Sequence, residues 1–345
     1  MIELINKLEK NHSLSLEEYE YLISNRNEEY AKILADKATE ARKKIYGNDV
    51  YIRGLIEISN ICKNDCLYCG IRRGNKNCER YRLTDDEILL CCDEGYLLGF
   101  RTFVMQGGED PYFNDDRICS LVSKIKKCYP DCAVTLSLGE KSFDSYKKLY
   151  DSGADRYLLR HETADEEHYS KLHPDDLSFE NRMECLYNLK KIGFQTGCGF
   201  MVGSPYQTEK NLAKDLKFIE EFKPEMCGIG PFIPHKDTCF KNEKSGTVEL
   251  TCYLLSIVRH ISPNILLPST TALGSIDPEG REKGILSGAN VVMPNLSPYD
   301  VRNKYELYNN KNYGGAEAAS NVDELKRRME SVGCRIVTAR GDFIK

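Results

Sequence analysis

The stretch ISNICKNDCLYCG, residues 58–70, places three cysteines, Cys62, Cys66 and Cys69, in one short segment. Three residues separate the first pair and two separate the second, and the strand-like run 54–59 precedes them. Thiolates are soft ligands that suit iron–sulfur clusters, zinc or Cu(I). Three thiolates in one loop can hold three irons of a cube-shaped [4Fe–4S] cluster, whereas an electron-transfer cluster usually has four. The spacing therefore predicts a cluster with one open iron.

Zinc binding, chance clustering and a disulfide are the alternatives to a cluster for these cysteines. A structural zinc site normally has four nitrogen or sulfur ligands, and no further Cys or His follows at the spacing of a zinc ribbon or finger. Chance clustering stays open because the chain has 15 cysteines. A disulfide requires an oxidising compartment, and the sequence shows no signal-peptide pattern. The spacing favours an iron–sulfur cluster over zinc or chance.

The pattern C-x3-C-x2-C, with Tyr68 just before the last cysteine, resembles the radical S-adenosylmethionine (SAM) superfamily. The resemblance implies that the open iron binds the amino and carboxylate groups of SAM. It also implies that an electron from the cluster splits SAM into methionine and a 5′-deoxyadenosyl radical. The protein then has to bind, orient and shield these cofactors.

Composition limits the class of protein. The chain has 345 residues, of which 41% are hydrophobic, enough for two domains or one large α/β barrel. The net charge of −5 gives no reason to expect a nucleic-acid partner. The sequence contains no run of about twenty apolar residues, so it does not predict a membrane span. An odd number of cysteines without a secretory pattern predicts a reducing cytoplasm, and an oxygen-labile cluster implies low-oxygen conditions.

From residue 51 onward, short strand-like runs alternate with amphipathic helices, which predicts parallel βα units. Strands are predicted at 53–59, 102–106, 133–138, 156–160, 196–201, 226–230, 265–268 and 290–293. Helices are predicted near 84–98, 115–128, 142–152, 178–192, 208–222, 248–261 and 278–287. This pattern predicts a (β/α)8 TIM-type barrel over residues 51–308, between an N-terminal helical extension (1–50) and a short C-terminal segment (309–345).

Barrel active sites gather at the carboxyl ends of the strands, so the residues that follow each strand are the candidates. Gln106, Gly107 and Gly108 follow the second strand, where the glycines allow close approach of a ligand; an ordinary tight turn is the alternative. Thr135 and Ser137 lie two apart on the third strand and therefore share a face. Buried hydroxyls need partners, which suggests ligand contacts, unless neighbouring backbone satisfies them.

Further polar and apolar candidates follow the next strands. Arg160 and Glu162 end the fourth strand, where Glu162 is placed to accept hydrogen bonds from the ribose or ammonium group of SAM. Arg182, at the start of a helix, has the planar fork that binds a carboxylate, although a helical Arg is most often a solvated surface charge. Met201 offers an apolar slot for adenine, and Ile229 offers backbone contacts to it.

The last strand ends supply candidates for a substrate cavity inside the barrel. Hydroxyl and apolar groups there are contributed by Thr270, Thr271, Met293, Tyr305 and Tyr308. A Met or Tyr alone would more often be core packing.

Seven strings narrow the resemblance to one family. In chain order from about residue 50 to 308 they are CKNDCLYCGIRRGNKN, QGGEDPY, TLSLGE, DRYLLRHETA, SFENR, GIGPFIPH and ANVVMPN. Together they resemble HydE, the radical SAM maturase family of [FeFe] hydrogenase. Methylornithine synthase and biotin synthase are related by pattern.

The HydE resemblance implies a function in assembling the two-iron subcluster of the hydrogenase H-cluster. It implies one [4Fe–4S] cluster with three Cys ligands, SAM, and an external electron donor. It also implies a substrate that is an iron carbonyl cyanide complex bearing cysteine, supplied by the maturase HydG, and a product that passes to the scaffold protein HydF. SAM is then surrounded by Thr135, Ser137, Glu162, Arg182 and Met201, and Thr270, Thr271, Met293, Tyr305 and Tyr308 lie at the substrate end.

One departure from the family pattern concerns the C-terminal segment. Many HydE proteins have a second cysteine cluster motif there, but Cys334 is the only cysteine after Tyr308 in this chain. The alternatives left open are a HydE-like paralogue with another role, a radical mutase or synthase acting on an amino acid, and a non-catalytic scaffold barrel stabilised by metal. Cys78, shortly after the cysteine loop, is a candidate for an adventitious ligand.

Overall fold

The computed structural model of the protein describes residues 1–345, apart from the side chain of Ala316. The strands are β1 (Asp49–Ile52), β2 (Gly54–Ser59), β3 (Thr102–Gly107), β4 (Ala133–Ser137), β5 (Arg156–Leu158), β6 (Gln195–Cys198), β7 (Met201–Val202), β8 (Met226–Cys227), β9 (Gly230–Pro231), β10 (Val291–Val292) and β11 (Arg335–Val337). The α-helices are α1 (Ile2–Asn11), α2 (Leu16–Ser24), α3 (Glu28–Tyr46), α4 (Asp85–Leu97), α5 (Asp115–Cys128), α6 (Phe143–Asp151), α7 (Glu166–Leu172), α8 (Phe179–Ile192), α9 (Glu209–Phe222), α10 (Val248–Ile261), α11 (Thr271–Ile276), α12 (Gly280–Leu286), α13 (Tyr299–Arg302) and α14 (Val322–Ser331).

The central sheet is parallel and closes into a barrel. Strands β2, β3, β4, β5, β6 and β8 pair in that order, and every residue of β2 is buried, as expected for a strand covered on both faces. Parallel bridges continue the sheet from Met226 to Leu266 and from Pro268 to Val291. A further parallel bridge joins Asn295 to Leu55 on β2 and closes the ring. The predicted barrel of parallel strands with outer helices is confirmed.

Two predicted strands are each divided in the structure. The predicted strand 196–201 is β6 followed by β7, and the predicted strand 226–230 is β8 followed by β9. The division occurs where Gly199, at φ 157°, passes the backbone of Gly228: a Cβ on Gly199 would lie 2.0 Å from the Gly228 carbonyl oxygen. Beyond this point β7 and β9 pair with each other at the carboxyl end of the barrel.

The N-terminal helices lie outside the ring of barrel helices. Helix α3 packs along α10, and α2 packs against α9. The hydroxyl of Tyr253, on α10, donates to the Leu22 carbonyl at 2.9 Å. Ser15 begins α2 through a capping box with Glu18. Of the helices that the structure describes, none is long and apolar enough to cross a membrane.

The C-terminal segment returns to the barrel, which the sequence did not predict. Strand β11 pairs in parallel with β1, and β1 pairs with β10. The residues after β11 then cover the amino ends of the barrel strands. Arg156, fully buried at the start of β5, donates to the Arg340 carbonyl at 2.9 Å and to Asp342 at 2.6 Å. Arg53, before β2, donates to the Gly341 carbonyl at 3.5 Å.

The tail therefore provides hydrogen-bond acceptors for guanidinium groups that the barrel buries. The substitution Asp342→Ala should leave Arg156 without its carboxylate partner. Removing one partner of a fully buried ion pair costs about 3–5 kcal/mol. Because the Asp342 side chain is 39% exposed, we expect a loss of about 2 kcal/mol in the free energy of unfolding, measured by urea denaturation. The matched control is Asp323→Ala, which breaks a pair whose carboxylate is 80% exposed and should leave stability nearly unchanged. Equal effects of the two substitutions would contradict the tail's role.

Candidate functional site

The cysteine loop begins directly after β2, at the carboxyl end of the barrel. The Cys62 sulfur accepts hydrogen bonds from the amides of Asn64 and Glu109, each at 3.4 Å, and the Cys69 amide donates to the Cys66 carbonyl at 3.2 Å. Burial raises the pKa of all three thiols, that of Cys69 to about 12. Burial thus favours the protonated thiols. A metal ligand must be deprotonated, so these cysteines would lose their protons when they bind a metal.

Two polar side chains that the sequence analysis did not select hold this loop in place. Arg80 donates to the carbonyls of Asn60 and Ile71 at 2.5 and 2.8 Å, and to those of Arg72 and Asn75 at 2.6 and 3.0 Å. The Asn60 side-chain amide donates to the carbonyls of Glu79 and Lys304, at 2.8 and 2.7 Å. A loop with its carbonyls bonded in this way is fixed before any ligand binds.

Glycine at position 108 lets the loop after β3 meet the cysteine loop. A Cβ on Gly108 would lie 2.3 Å from the Ile61 carbonyl oxygen and 2.8 Å from the Cys62 Cβ. Gly107 is less crowded, with the Ser59 carbonyl oxygen at 3.2 Å from a Cβ there. The loop after β3 therefore packs directly against the cysteine loop at Gly108, and the predicted approach of a ligand to the glycine pair stays a prediction.

Unpartnered polar atoms gather at the ends of β4 and β5. Thr135 Oγ1, Arg160 Nε and Nη2, and Glu162 Oε2 are buried without a hydrogen-bond partner among the described residues. Arg160 Nη2 and Glu162 Oε2 form an ion pair at 3.1 Å, but its geometry is not that of a hydrogen bond. Ser137, at the end of β4, is half-buried. Buried groups of this kind normally have partners, which makes these atoms candidates for contacts to a polar ligand.

Glu162 has a strained backbone. Its φ of 65° is left-handed, a conformation that costs a residue with a side chain of order 1 kcal/mol or more. The amide of Glu162 donates to the Gly199 carbonyl at 3.0 Å, and its carbonyl accepts from the Met201 amide at 3.4 Å. These bonds hold the carboxylate in place at the strand end.

Behind Glu162, His161 and Asp215 form a fully buried pair. His161 Nε2 lies 3.3 Å from Asp215 Oδ1. Burial lowers the pKa of His161 to about 3 and raises that of Asp215 well above its usual value. His161 Nδ1 accepts from the Gly199 amide at 3.3 Å, and Asp215 accepts from the Ala164 amide at 2.5 Å. The pair therefore supports the strand end that presents Glu162.

Arg182 is buried, which excludes the solvated surface charge considered for it. Its Nε donates to Glu140, and its Nη1 donates to the Arg160 carbonyl at 2.7 Å. Glu140 also accepts from the Asn181 amide group at 2.5 Å. Two edges of the guanidinium are thus used within the protein, and they link α8 to the strand end that carries Arg160.

An apolar cluster joins the cysteine loop to β7. It contains Met201 and Tyr68 together with Leu67, Leu172, Phe232 and Phe240. The Tyr68 hydroxyl lies 3.3 Å from His173 Nε2, and the two rings meet edge to face. Ile229 is different: its side chain is fully buried in the main core, so only its backbone is placed to contact a ligand.

Two buried ion pairs that the sequence analysis missed contact Tyr305 and Thr271, two of the substrate-end candidates. Tyr305, almost fully buried, accepts a hydrogen bond from the Gln106 side-chain amide at 3.4 Å. Glu57 on β2 pairs with Lys311 and accepts from the Asn295 amide at 2.8 Å. The signal was available, because Glu57 is an acidic residue inside the apolar strand GLIEIS.

The second buried pair joins Arg281 to Glu317, and the Thr271 hydroxyl donates to Glu317 at 2.9 Å. Thr270 Oγ1 is buried and unpartnered within the part of the chain that the structure describes. Burial raises the pKa of the Tyr308 hydroxyl, so it stays protonated at neutral pH. Met293 is half-buried and packs beside Val291 and Leu266.

Of the cysteines outside the triad, Cys78 and Cys239 lie beside the cysteine loop. Cys78 accepts from the Asn60 amide at 3.5 Å, and the exposed Cys239 contacts the Leu67 carbonyl at 3.6 Å. Cys334 is buried in the main core. Among the described residues, no three His, Cys, Asp or Glu side chains are grouped as ligands of a single metal ion.

Comparison with known proteins identifies the class first. Residues 56–219 match the Radical SAM superfamily. The solved structure of a methylornithine synthase superposes with a TM-score of 0.83 at 25% identity and covers 97% of both chains. The chain has the radical SAM fold, and it is a radical SAM enzyme.

Sequence relatives narrow the assignment. The chain is 46% identical to the [FeFe] hydrogenase maturase subunit HydE of Thermotoga maritima over 309 residues, 90% of this chain and 88% of that protein. It is 28% identical to the 3-methylornithine synthase of Methanosarcina acetivorans over 95% of this chain and 91% of that protein. The chain belongs to the HydE family of radical SAM enzymes.

The contact at Gly108 can be tested in the metal-free protein. Gly108→Ala places a methyl group against the Ile61 carbonyl and should lower the free energy of unfolding by about 1–3 kcal/mol. It should also speed alkylation of Cys62, because the loops must separate. Gly314→Ala is the control, since a Cβ there meets nothing within 4 Å. Unchanged stability and labelling in the Gly108 variant would show that the two loops are not in contact.

Proposed function

We propose that this enzyme is a maturase of [FeFe] hydrogenase that cleaves SAM reductively during assembly of the two-iron subcluster of the H-cluster. The observation that carries the proposal is the position of the three-cysteine loop beside buried, unpartnered polar atoms on neighbouring strands. The high identity to a HydE protein over nearly the whole chain supports the same function.

In this proposal Cys62, Cys66 and Cys69 hold one [4Fe–4S] cluster through three irons. The donor set fits the group, because three soft ligands come from one loop whose carbonyls are already bonded by Arg80 and Asn60. When bound, the cluster and SAM supply the chemistry: one electron splits SAM into methionine and a 5′-deoxyadenosyl radical.

The remaining assigned residues bind and orient SAM. Thr135 and Ser137 donate to it, and Glu162 accepts from its ribose or ammonium group, which gives the unpartnered atoms of Thr135 and Glu162 a partner. Arg182 Nη2 reaches the carboxylate, while Nε and Nη1 stay engaged within the protein. The adenine ring lies against the apolar cluster of Met201 and Tyr68. Arg160, Gln106, Gly107, Gly108 and the Ile229 backbone complete the cofactor site.

The substrate end is assigned to Thr270, Thr271, Met293, Tyr305 and Tyr308. Two buried ion pairs join the C-terminal segment to the barrel. Lys311 of that segment pairs with Glu57, and Glu317 pairs with Arg281. The proposed substrate is an iron carbonyl cyanide complex bearing cysteine, received from HydG, with the product passed to HydF. An external electron donor reduces the enzyme.

Cluster ligation is tested by single substitutions. Cys69→Ala should remove most of the iron and sulfide that anaerobic reconstitution introduces, and with it the formation of 5′-deoxyadenosine from SAM and dithionite. Cys78→Ala and Cys239→Ala are matched controls, because both thiols lie beside the loop and neither is assigned to the cluster. A Cys69 variant with normal cleavage, or a Cys78 variant without a cluster, would refute the three-ligand assignment.

The role of Glu162 predicts a change in SAM affinity. Glu162→Gln keeps the shape of the side chain but loses a charge-assisted hydrogen bond, which contributes about 1.5–3 kcal/mol. We expect the Kd for SAM on the reconstituted enzyme, measured by calorimetry, to rise roughly 10- to 150-fold. Glu167→Gln on α7, whose carboxylate is 82% exposed, should leave the Kd unchanged. Equal affinity of both variants would place Glu162 outside the SAM site.

The biological role is tested by maturation in vitro. A mixture that contains apo-[FeFe] hydrogenase and the other maturases, but no HydE protein, should produce active hydrogenase when this chain is added. The same preparation should form no 3-methylornithine. Synthesis of that amino acid without hydrogenase activation would favour the amino-acid synthase alternative.

A further inference from the structure

A cationic surface lies next to the cysteine loop and has no part in the site described above. We call Arg72, Lys76, Lys236 and Lys241 the basic patch. They line an open hollow of about 430 Å³, with Asp237 as its acidic member and with polar neighbours Asn75, Asn77 and Thr238. The three lysines are exposed, and within the described residues none of their ammonium groups has an ion-pair partner.

The basic patch is built on the outer side of the cysteine loop. The Arg72 amide donates to the Cys69 carbonyl at 3.3 Å, and Arg72 Nη2 donates to the Asp237 carbonyl at 3.2 Å. The Asn75 side-chain amide donates to the Gly70 carbonyl at 2.6 Å. A molecule seated in the hollow therefore lies one hydrogen-bonded turn of backbone away from Cys69.

The charge of this surface is opposite to that of the whole protein. The chain carries a net charge of −5, yet four cationic side chains form the patch. Two carboxylates lie among these cations: Asp65 Oδ1 accepts from Arg72 at 2.9 Å and from the Gly74 amide at 2.8 Å, and Asp237 Oδ1 accepts from the Asn77 side-chain amide at 2.9 Å. Four cations and two carboxylates leave an excess of two positive charges. Glu79 pairs with Lys304. The three lysines are thus free to attract an acidic partner at distances up to about one Debye length, about 8 Å at physiological salt.

We propose that the basic patch docks an acidic one-electron carrier protein, with flavodoxin as the probe. This inference rests on the proposed function, which requires an electron for every SAM cleaved. In the docked complex the carrier would lose one electron, and a cluster held by Cys62, Cys66 and Cys69 would gain it, so no other co-reactant is needed. Complementary charge raises the rate of encounter and fixes the orientation, while the short path through the loop makes the surface suitable for electron transfer.

The test variant is the triple charge reversal Lys76→Glu, Lys236→Glu and Lys241→Glu. The control reverses the three exposed lysines Lys124, Lys127 and Lys148 on α5 and α6, which gives the same net charge on a distant face. Binding of oxidised flavodoxin to the reconstituted enzymes is measured by calorimetry at low and at moderate salt. The wild type and the control should bind with an affinity that falls as salt rises, and the patch variant should bind at least about tenfold more weakly.

A second measurement separates this inference from the proposed function. With dithionite as reductant, the patch variant should form 5′-deoxyadenosine at the wild-type rate, because a small chemical reductant needs no docking surface. With reduced flavodoxin as reductant, the rate should fall with the loss of binding. A milder variant with glutamine at the same three positions should give an intermediate affinity and covers the case in which charge reversal prevents folding.

The outcomes are distinct. Equal flavodoxin affinity in the patch variant, the control and the wild type would overturn the docking proposal, as would an absence of flavodoxin binding to the wild type. Binding that ignores salt would exclude the electrostatic mechanism. If no variant cleaves SAM with dithionite, the proposed function fails, whatever the binding data show.

Discussion

The structure of the site depends on the hydrogen bonds that Arg80 donates to four main-chain carbonyls. One guanidinium crosses from the Asn60 carbonyl, just before the cysteines, to the carbonyls of Ile71, Arg72 and Asn75 just after them. Because the bonds are charge-assisted, the loop keeps its shape without a ligand. Because Arg80 joins the chain before the cysteines to the chain after them, the cysteine loop stays at the carboxyl end of the barrel, directly after β2.

Polar groups in the barrel fall into two sets with different energetics. At the amino end of the barrel, Arg53 and Arg156 donate hydrogen bonds to the C-terminal tail. Lys311 and Arg281 have buried carboxylate partners. In contrast, Thr135, Arg160 and Glu162 have buried atoms without a hydrogen-bond partner, and Glu162 has a positive φ. An unpaired buried polar group costs about 1–3 kcal/mol, and a polar ligand bound at these three residues would offset that cost.

The sequence predicted the barrel of parallel strands well, and it placed the candidate residues after those strands, because strand runs and their carboxyl ends are local features. It missed what depends on distant parts of the chain. Strand β11 was hidden because its sequence RIV is too short to be distinctive, and the tail after it is bonded to Arg156 across nearly 190 residues of chain. Arg80 appeared as one more charge in a polar loop, and Lys311 as one more surface lysine. The side chain of Ile229 lies in the core, which leaves only its backbone available, as expected. Arg182 is buried and forms an ion pair with Glu140, a distant contact that its position at the start of a helix did not reveal.

The open iron is the central claim, and Mössbauer spectroscopy of ⁵⁷Fe-reconstituted enzyme tests it most directly. Three cysteine-bound irons and one iron without a protein ligand predict a [4Fe–4S] spectrum in which SAM shifts the signal of one iron in four and leaves the other three unchanged. A spectrum that SAM does not alter, or a protein that takes up zinc in place of iron, would contradict the account.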